Sequence, residues 1–403
     1  MNGAKWRRGR RLLGGLILAG VLAAGAAGEE TSEMSRAAVL YRQGRYAQAE
    51  PLCRQAIARI EQTRGTEDTG LAAALRLLEA VETDLGRYRE AEGTGRRALA
   101  IVERGFGEEH TETGAALSDL GMALFYQGKY AEAEPLFRRS LRIKETTLGA
   151  EDPRTAAAWS NLAALARAQG RLAEAEGIYR RALETAEKRL GPEDPAVATI
   201  LNNLAELYTA QKRFLRAEPL YRRSYAIGEK TWGAGHPNLV PCLRNLAALY
   251  RELGYYEKAQ PLYEQALEIL EGAAGPRHPD AGGILHGMAD LCARQGNLSE
   301  AEGLLRRAIE VWEASLSPLD GRLALARHDL ARLYMIRHQY GKARPLLERV
   351  VATREEALGP SNRSLIAPLQ GLAQAYRAQH DYARAETARR RALAIEEQAG
   401  APE

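Results

Sequence analysis

The chain has 403 residues and a formal net charge of +4. Lys5, Arg7, Arg8, Arg10 and Arg11 supply five positive charges ahead of any acidic residue, so the rest of the chain is one unit negative and has no global electrostatic drive toward nucleic acid. Its three cysteines, Cys53, Cys242 and Cys292, are odd in number with no CxxC pair, which leaves neither a disulfide framework nor a zinc site.

The first predicted element is a targeting segment. After the basic start, Leu12 to Gly28 is uncharged and ends in Ala23-Ala24-Gly25-Ala26-Ala27-Gly28. A basic start, an apolar middle and a small-residue end describe a secretory signal peptide, expected over 1–28 with cleavage near Ala26 to Gly28. The expected location is therefore periplasmic or secreted, with no stable membrane insertion after cleavage. The alternative is an uncleaved inner-membrane anchor, for which a 17-residue, glycine-containing run is short.

From 29 to 403 the chain reads as a single array. Gly128-Lys129-Tyr130-Ala131-Glu132-Ala133-Glu134-Pro135-Leu136-Phe137 describes a tight turn and the start of an amphipathic helix. The same stretch begins at Gly44, Gly86, Gly128, Gly170, Lys212, Gly254, Gly296, His338 and His380, always 42 residues apart. A fixed period of this size implies stacked copies of one supersecondary unit.

The fifth unit shows its parts. Asp194-Pro195 is an N-cap followed by proline at the first helical position. Leu201, Leu204, Ala205, Leu207 and Tyr208 then form one apolar helical face. Lys212-Arg213-Phe214 makes the turn, where most copies have glycine to permit a left-handed helix end. A second helix runs from about Leu215 to Thr231, with Ala217, Leu220, Tyr221, Ser224 and Ile227 inward. Small residues such as Ala133, Ala175 and Ala217 stand beside large ones such as Phe137, Tyr179 and Tyr221, as interlocking helices require. Cys53 and Cys292 take positions held by large apolar residues elsewhere and read as core. The end units carry Arg36 and Arg389 at core positions and read as polar caps. The second unit has Glu79, Glu82 and Gly95 at core positions; the glutamates are expected to turn outward or be paired, and that part of the stack to be looser.

Leu120-Gly121, Leu124, Ala133, Phe137 and Ser140, and again Leu246-Ala247, Tyr250, Ala259, Tyr263 and Ala266, resemble the marks of the tetratricopeptide repeat. The loops Leu190-Gly191-Pro192-Glu193-Asp194-Pro195 and Trp232-Gly233-Ala234-Gly235-His236-Pro237, with Leu201-Asn202-Asn203-Leu204-Ala205, are similar to its kinesin-light-chain subtype. The resemblance covers residues 31 to about 398. It implies an all-α, right-handed superhelical solenoid of nine helix-turn-helix repeats, used as a protein-protein interaction scaffold.

No GxGxxG, P-loop, HExxH or GxSxG motif occurs, so no enzyme activity and no cofactor is expected. The recurrent Ala-Glu-Ala-Glu carboxylates open helices, where the dipole favours them. The Arg-Arg pairs that follow read as solvated faces paired with acidic neighbours. The resemblance implies that the first helix of each unit faces a concave groove. The residues it places there include Ser160, Asn161, Arg167, Asn202, Asn203, Glu206, Arg244, Asn245 and Arg251, continuing with His286, Asp290, Arg294, His328, Arg332, Gln370, Gln374 and Arg377. Asn161, Asn203 and Asn245 hold one repeat position in successive units, and each offers a donor and an acceptor to a peptide backbone; the arginines suit carboxylates. The expected partner is thus an extended, partly acidic protein segment, with no nucleic acid. Equally, these asparagines suit a role in ordering the stack. A metal-dependent hydrolase around His286 and His328 and a small-ligand sensor are the competing readings, the first lacking a third ligand.

Overall fold

The computed structural model describes residues 28–316 and 318–400. The expected signal segment lies outside the described residues, apart from Gly28 at its end. Every described regular element is helical. The first helices of the nine repeats are α1 (Gly28–Arg42), α3 (Thr69–Asp84), α5 (Thr111–Gln127), α7 (Pro153–Ala168), α9 (Pro195–Ala210), α11 (Val240–Glu252), α13 (Pro279–Arg294), α15 (Gly321–Ile336) and α17 (Ile366–Ala378). The second helices are α2 (Tyr46–Arg64), α4 (Tyr88–Phe106), α6 (Tyr130–Leu148), α8 (Leu172–Leu190), α10 (Phe214–Trp232), α12 (Tyr256–Ala274), α14 (Leu298–Ser315), α16 (Tyr340–Leu358) and α18 (Tyr382–Gly400). One-turn 3-10 segments, Pro237–Leu239 and Arg363–Leu365, precede α11 and α17. The described residues form two compact units, 28–275 with repeats 1–6 and 276–400 with repeats 7–9. No described helix is long and apolar enough to cross a membrane.

Local chemistry sets each repeat. The turn residue between paired helices is left-handed throughout, including the non-glycines Lys212, His338 and His380, with φ of 59°, 56° and 63°. Asp68, Asp152, Asp194, Asp320 and Asn362 cap the next first helix through backbone N–H groups two residues on, at 2.8–3.0 Å. His110, His236 and His278 take the same register and do the same with Nδ1, at 3.2, 3.1 and 3.0 Å. These loop histidines are therefore helix caps, each with Nδ1 acting as the acceptor.

Packing follows the large-beside-small pattern. A Cβ on Gly121 would lie 2.6 Å from the Phe137 ring, so the aromatic occupies the room this glycine leaves. Ala133, Ala175, Ala205 and Ala217 are fully buried at helix crossings. Repeat 2 inverts the arrangement: at the two equivalent positions it has Glu79 and Gly95, and a Cβ on Gly95 would lie 2.3 Å from Glu79 Oε1.

Glu82 meets the expectation for this unit by pairing with Arg54 at 3.0 Å and Thr94 at 2.8 Å. Glu79 departs from it. It is 1% exposed with neither carboxyl oxygen hydrogen-bonded, because the carboxyl fills the aromatic's place in the core. Burial, reinforced by Asp119 against the opposing pull of Arg76, pushes its pKa well above the usual carboxylate range. At the far ends Arg36 and Arg389 are exposed, as capping repeats require.

Candidate functional site

First helices of neighbouring repeats touch one another along each unit, in repeats 1–6 (α3–α5, α5–α7, α7–α9 and α9–α11 among them) and in the second unit (α15–α17). The polar residues expected to face the groove lie on these first helices. What the structure adds is a bond with a fixed offset. The residue at one inner position binds the side chain 43 residues on, in the next repeat: Arg76 to Asp119 at 2.8 Å, Asn202 to Asn245 at 3.2 Å, His286 to Asp329 at 2.9 Å. Three different chemistries serve one geometry, which ties adjacent repeats across the inner face.

This bonding consumes much of the central groove. Asn202 and Asn245 bond each other, and Asn203 is only 3% exposed. Arg167 is buried, with Nη1 3.0 Å from Glu206. Arg244 is half-buried and donates to Asn245 Oδ1 at 2.6 Å, and Arg251 pairs with Glu252 at 2.7 Å. Asn161 is half-buried. A small recess, open to solvent, adjoins Asn202 and is lined also by Thr199, Ser224, Trp232, Asn238 and Cys242.

The corresponding positions of repeats 8 and 9 are accessible. Arg332, Gln370, Gln374 and Arg377 are exposed, the Arg332 side chain at 63%. Arg294 in repeat 7 is exposed as well, paired with Asp290 at 3.1 Å. His286 and His328 are half-buried around Asp329, with His328 Nδ1 3.9 Å from its carboxylate. Burial alone would raise the Asp329 pKa, but the His286 hydrogen bond and the adjacent His328 ring outweigh it and hold the carboxyl well below the usual range. Asp329 is therefore the anionic acceptor, and His286 donates from Nε2. Among the described residues no group of three His, Cys, Asp or Glu side chains is placed to hold a metal ion.

One further cluster has the look of chemistry. Lys144 Nζ donates to Ser118 Oγ at 3.0 Å, Ser118 bonds Ser140 at 2.7 Å, and burial pulls the Lys144 pKa down to about 8. A serine beside a lysine of lowered pKa is a nucleophile in the right cleft. Here both Ser118 and Lys144 are buried between α5 and α6, so they cross-link helices without reaching a substrate.

The Arg-Arg pairs do pair with acidic neighbours, and they also hold tyrosines, which the sequence reading missed. Tyr208 donates to Glu176 at 3.2 Å and accepts from Arg180 at 3.1 Å. Tyr250 with Glu218 and Arg222, and Tyr334 with Glu302 and Arg306, repeat the clasp. Glutamate and arginine exchange places at Arg344 and Glu348, and there Tyr376 donates to Glu348 at 2.7 Å. Each clasp ties a second helix to the first helix of the following repeat. The 28- and 32-residue spacings are constant, so this signal was present in the sequence.

A family model described as tetratricopeptide repeat matches residues 29–104, 80–146, 154–230, 239–314 and 322–398. A comparison with curated proteins gives no match. Solved structures similar to the chain include a kinesin-light-chain-like protein with nearly identical repeats from Podosopora anserina. It is 27% identical, covering 52% of this chain and 100% of that one at a TM-score of 0.45. BtubC (BKLC) from P. vanneervenii is 25% identical over 58% of this chain and 91% of its own, at 0.43. The apo form of RapI is 18% identical over 71% and 98%, at 0.50.

Proposed function

The chain belongs to the tetratricopeptide repeat family, and on that premise we propose that it is a non-enzymatic scaffold that binds an extended, partly acidic segment of a protein partner along its inner face. Such stacks offer extended concave surfaces for protein partners. The observation that carries the finer reading is the exposure of Arg332, Gln370, Gln374 and Arg377, while the equivalent central positions are spent on bonds between repeats. Gln374 supplies a donor and an acceptor for a peptide backbone, Gln370, whose Nε2 bonds Glu396, keeps its acceptor, and the two arginines supply charge-assisted bonds to carboxylates. The proposed peptide site thus centres on α15 and α17 rather than on Asn161, Asn203 and Asn245, of which Asn245 is bonded to Asn202 and Asn203 is buried. We place the scaffold outside the cytoplasm, on the basic start, apolar run and small-residue end of residues 1–28.

The test is a titration of the partner captured by the chain lacking 1–28. Each charged hydrogen bond lost is worth about 1.5–3 kcal/mol. Arg332→Glu with Arg377→Glu is therefore expected to weaken binding at least about tenfold, and more at low salt, where screening is least. Arg89→Glu, on exposed α4 surface, serves as the control. If the control weakens binding while the paired variant binds like the parent, the inner face is not the contact surface.

A further inference from the structure

In a repeat stack each unit normally contacts only its neighbours. Repeat 1 breaks that rule. The carbonyl of Arg42, at the end of α1, accepts a 2.6 Å hydrogen bond from His236 Nε2, 194 positions away. His236 Nδ1 already accepts from the Asn238 N–H, so the ring proton is on Nε2 and the bond to Arg42 is a donation. Beside it Pro237 packs on the turn at Gly44, so closely that a Cβ there would lie 2.3 Å from Pro237 Cγ. Ala273 and Ala274, at the end of α12, pack against the apolar cluster of repeats 1 and 2. Repeat 1 therefore meets both the loop before α11 and the last turn of α12, and the unit 28–275 closes on itself.

We propose that repeat 1 is a reversible latch, closing repeats 1–6 into a ring and opening their inner face when it is released. Three features of the contact suit a latch. Its polar anchor among the described residues is the His236 bond, set beside one proline on a glycine turn and two alanines. It breaks without disturbing any bond between adjacent repeats. It also uses an otherwise unsatisfied group, since the last carbonyls of a helix have no partner within the helix. Ser160 Oγ and Asn203 Oδ1, on neighbouring repeats of the same unit, are buried polar atoms without a hydrogen-bond partner. The latch stands independently of the α15–α17 site, because all of its residues lie in the other unit.

Matched substitutions separate the latch from ordinary stability. His236→Asp keeps a side chain that caps the next helix, as Asp152 and Asp194 do, but has no donor for the Arg42 carbonyl. His110→Asp makes the same change at a cap with no such bond. Gly44→Ala drives a methyl into Pro237, whereas Gly170→Ala imposes the same left-handed strain with nothing within 4 Å. Spin labels on cysteines introduced at Val39 and Gly272, both exposed, report the distance between repeats 1 and 6. The native Cys53, Cys242 and Cys292 thiols are all buried, and burial pushes the first two up to about 12, which keeps them from competing for the label. The expected result is a narrow distance distribution in the parent, His110→Asp and Gly170→Ala, and a longer, broader one in His236→Asp and Gly44→Ala. Hydrogen exchange at Ala273 and Ala274 is expected to rise at least about tenfold in the latter pair, the factor that corresponds to one hydrogen bond. A parent distribution that is already broad, or latch variants that match their controls, overturns the proposal.

Discussion

Glu79 and Gly95 make a sharp test of how this stack is packed. The other central repeats set a small residue against a large one, as Gly121 does with Phe137, and repeat 2 substitutes a carboxyl and a glycine. Gly95→Phe alone must overpack, because even its Cβ would lie 2.3 Å from Glu79 Oε1; the expected loss is about 1–3 kcal/mol. Glu79→Gly alone removes an unpaired buried acid but leaves a hole and a helical glycine, the latter costing about 1 kcal/mol. Together the two changes rebuild the Gly121–Phe137 pair. Burying the ring contributes about 1.5–3 kcal/mol and removing the orphaned carboxyl about 1–3 kcal/mol, part of it offset by imperfect repacking, while the glycine gained in one helix is matched by the one lost from the other. The double variant should therefore exceed the parent by on the order of 2 kcal/mol at neutral pH, with strong non-additivity in the cycle.

The pH dependence carries the sign. The folded Glu79 pKa lies above its unfolded value, so the stability at stake in the parent is fully present below the unfolded pKa and is lost as pH rises through the folded one. The double variant's advantage should accordingly grow from acid to mildly alkaline pH. Urea unfolding midpoints of the four proteins across that range decide the matter. An additive cycle, or an advantage independent of pH, would refute the account of Glu79 as a neutral acid filling an aromatic's place.

Ala205 is fully buried where α9 crosses α10, so Ala205→Leu should lose about 1–3 kcal/mol in urea unfolding through overpacking. An unchanged midpoint would mean that the crossing is looser than the structure has it. Tyr334→Phe removes the hydroxyl shared by Glu302 and Arg306 and should cost about 1 kcal/mol in the same assay, by loosening repeat 8 on repeat 7.

The repeat itself was legible because its period never slips. The turn at Lys212 was assigned by register alone, and it adopts the left-handed conformation despite lacking glycine. The inner polar residues were legible as a series but not in their use. Asn161, Asn203 and Asn245 were read as a series at one repeat position, whereas the bond that engages Asn245 runs to Asn202, at a different position of the preceding repeat and at an offset of 43. Glu79 and Gly95 each stood out as odd; comparison with Gly121 and Phe137 shows them to be one exchanged pair. His236 illustrates the limit of periodicity. Its cap follows from register with Asp194, but its bond to Arg42 joins repeats that no periodic argument brings together.

The central claim is that a partner's extended segment lies along α15 and α17. A photo-crosslinking residue at Gln374, on the exposed face of α17, tests it most directly, with the same residue at Arg89 on α4 as the comparison. The account predicts that the captured partner cross-links through position 374, through a stretch containing Asp or Glu, and not through position 89. Cross-linking confined to position 89 would contradict it.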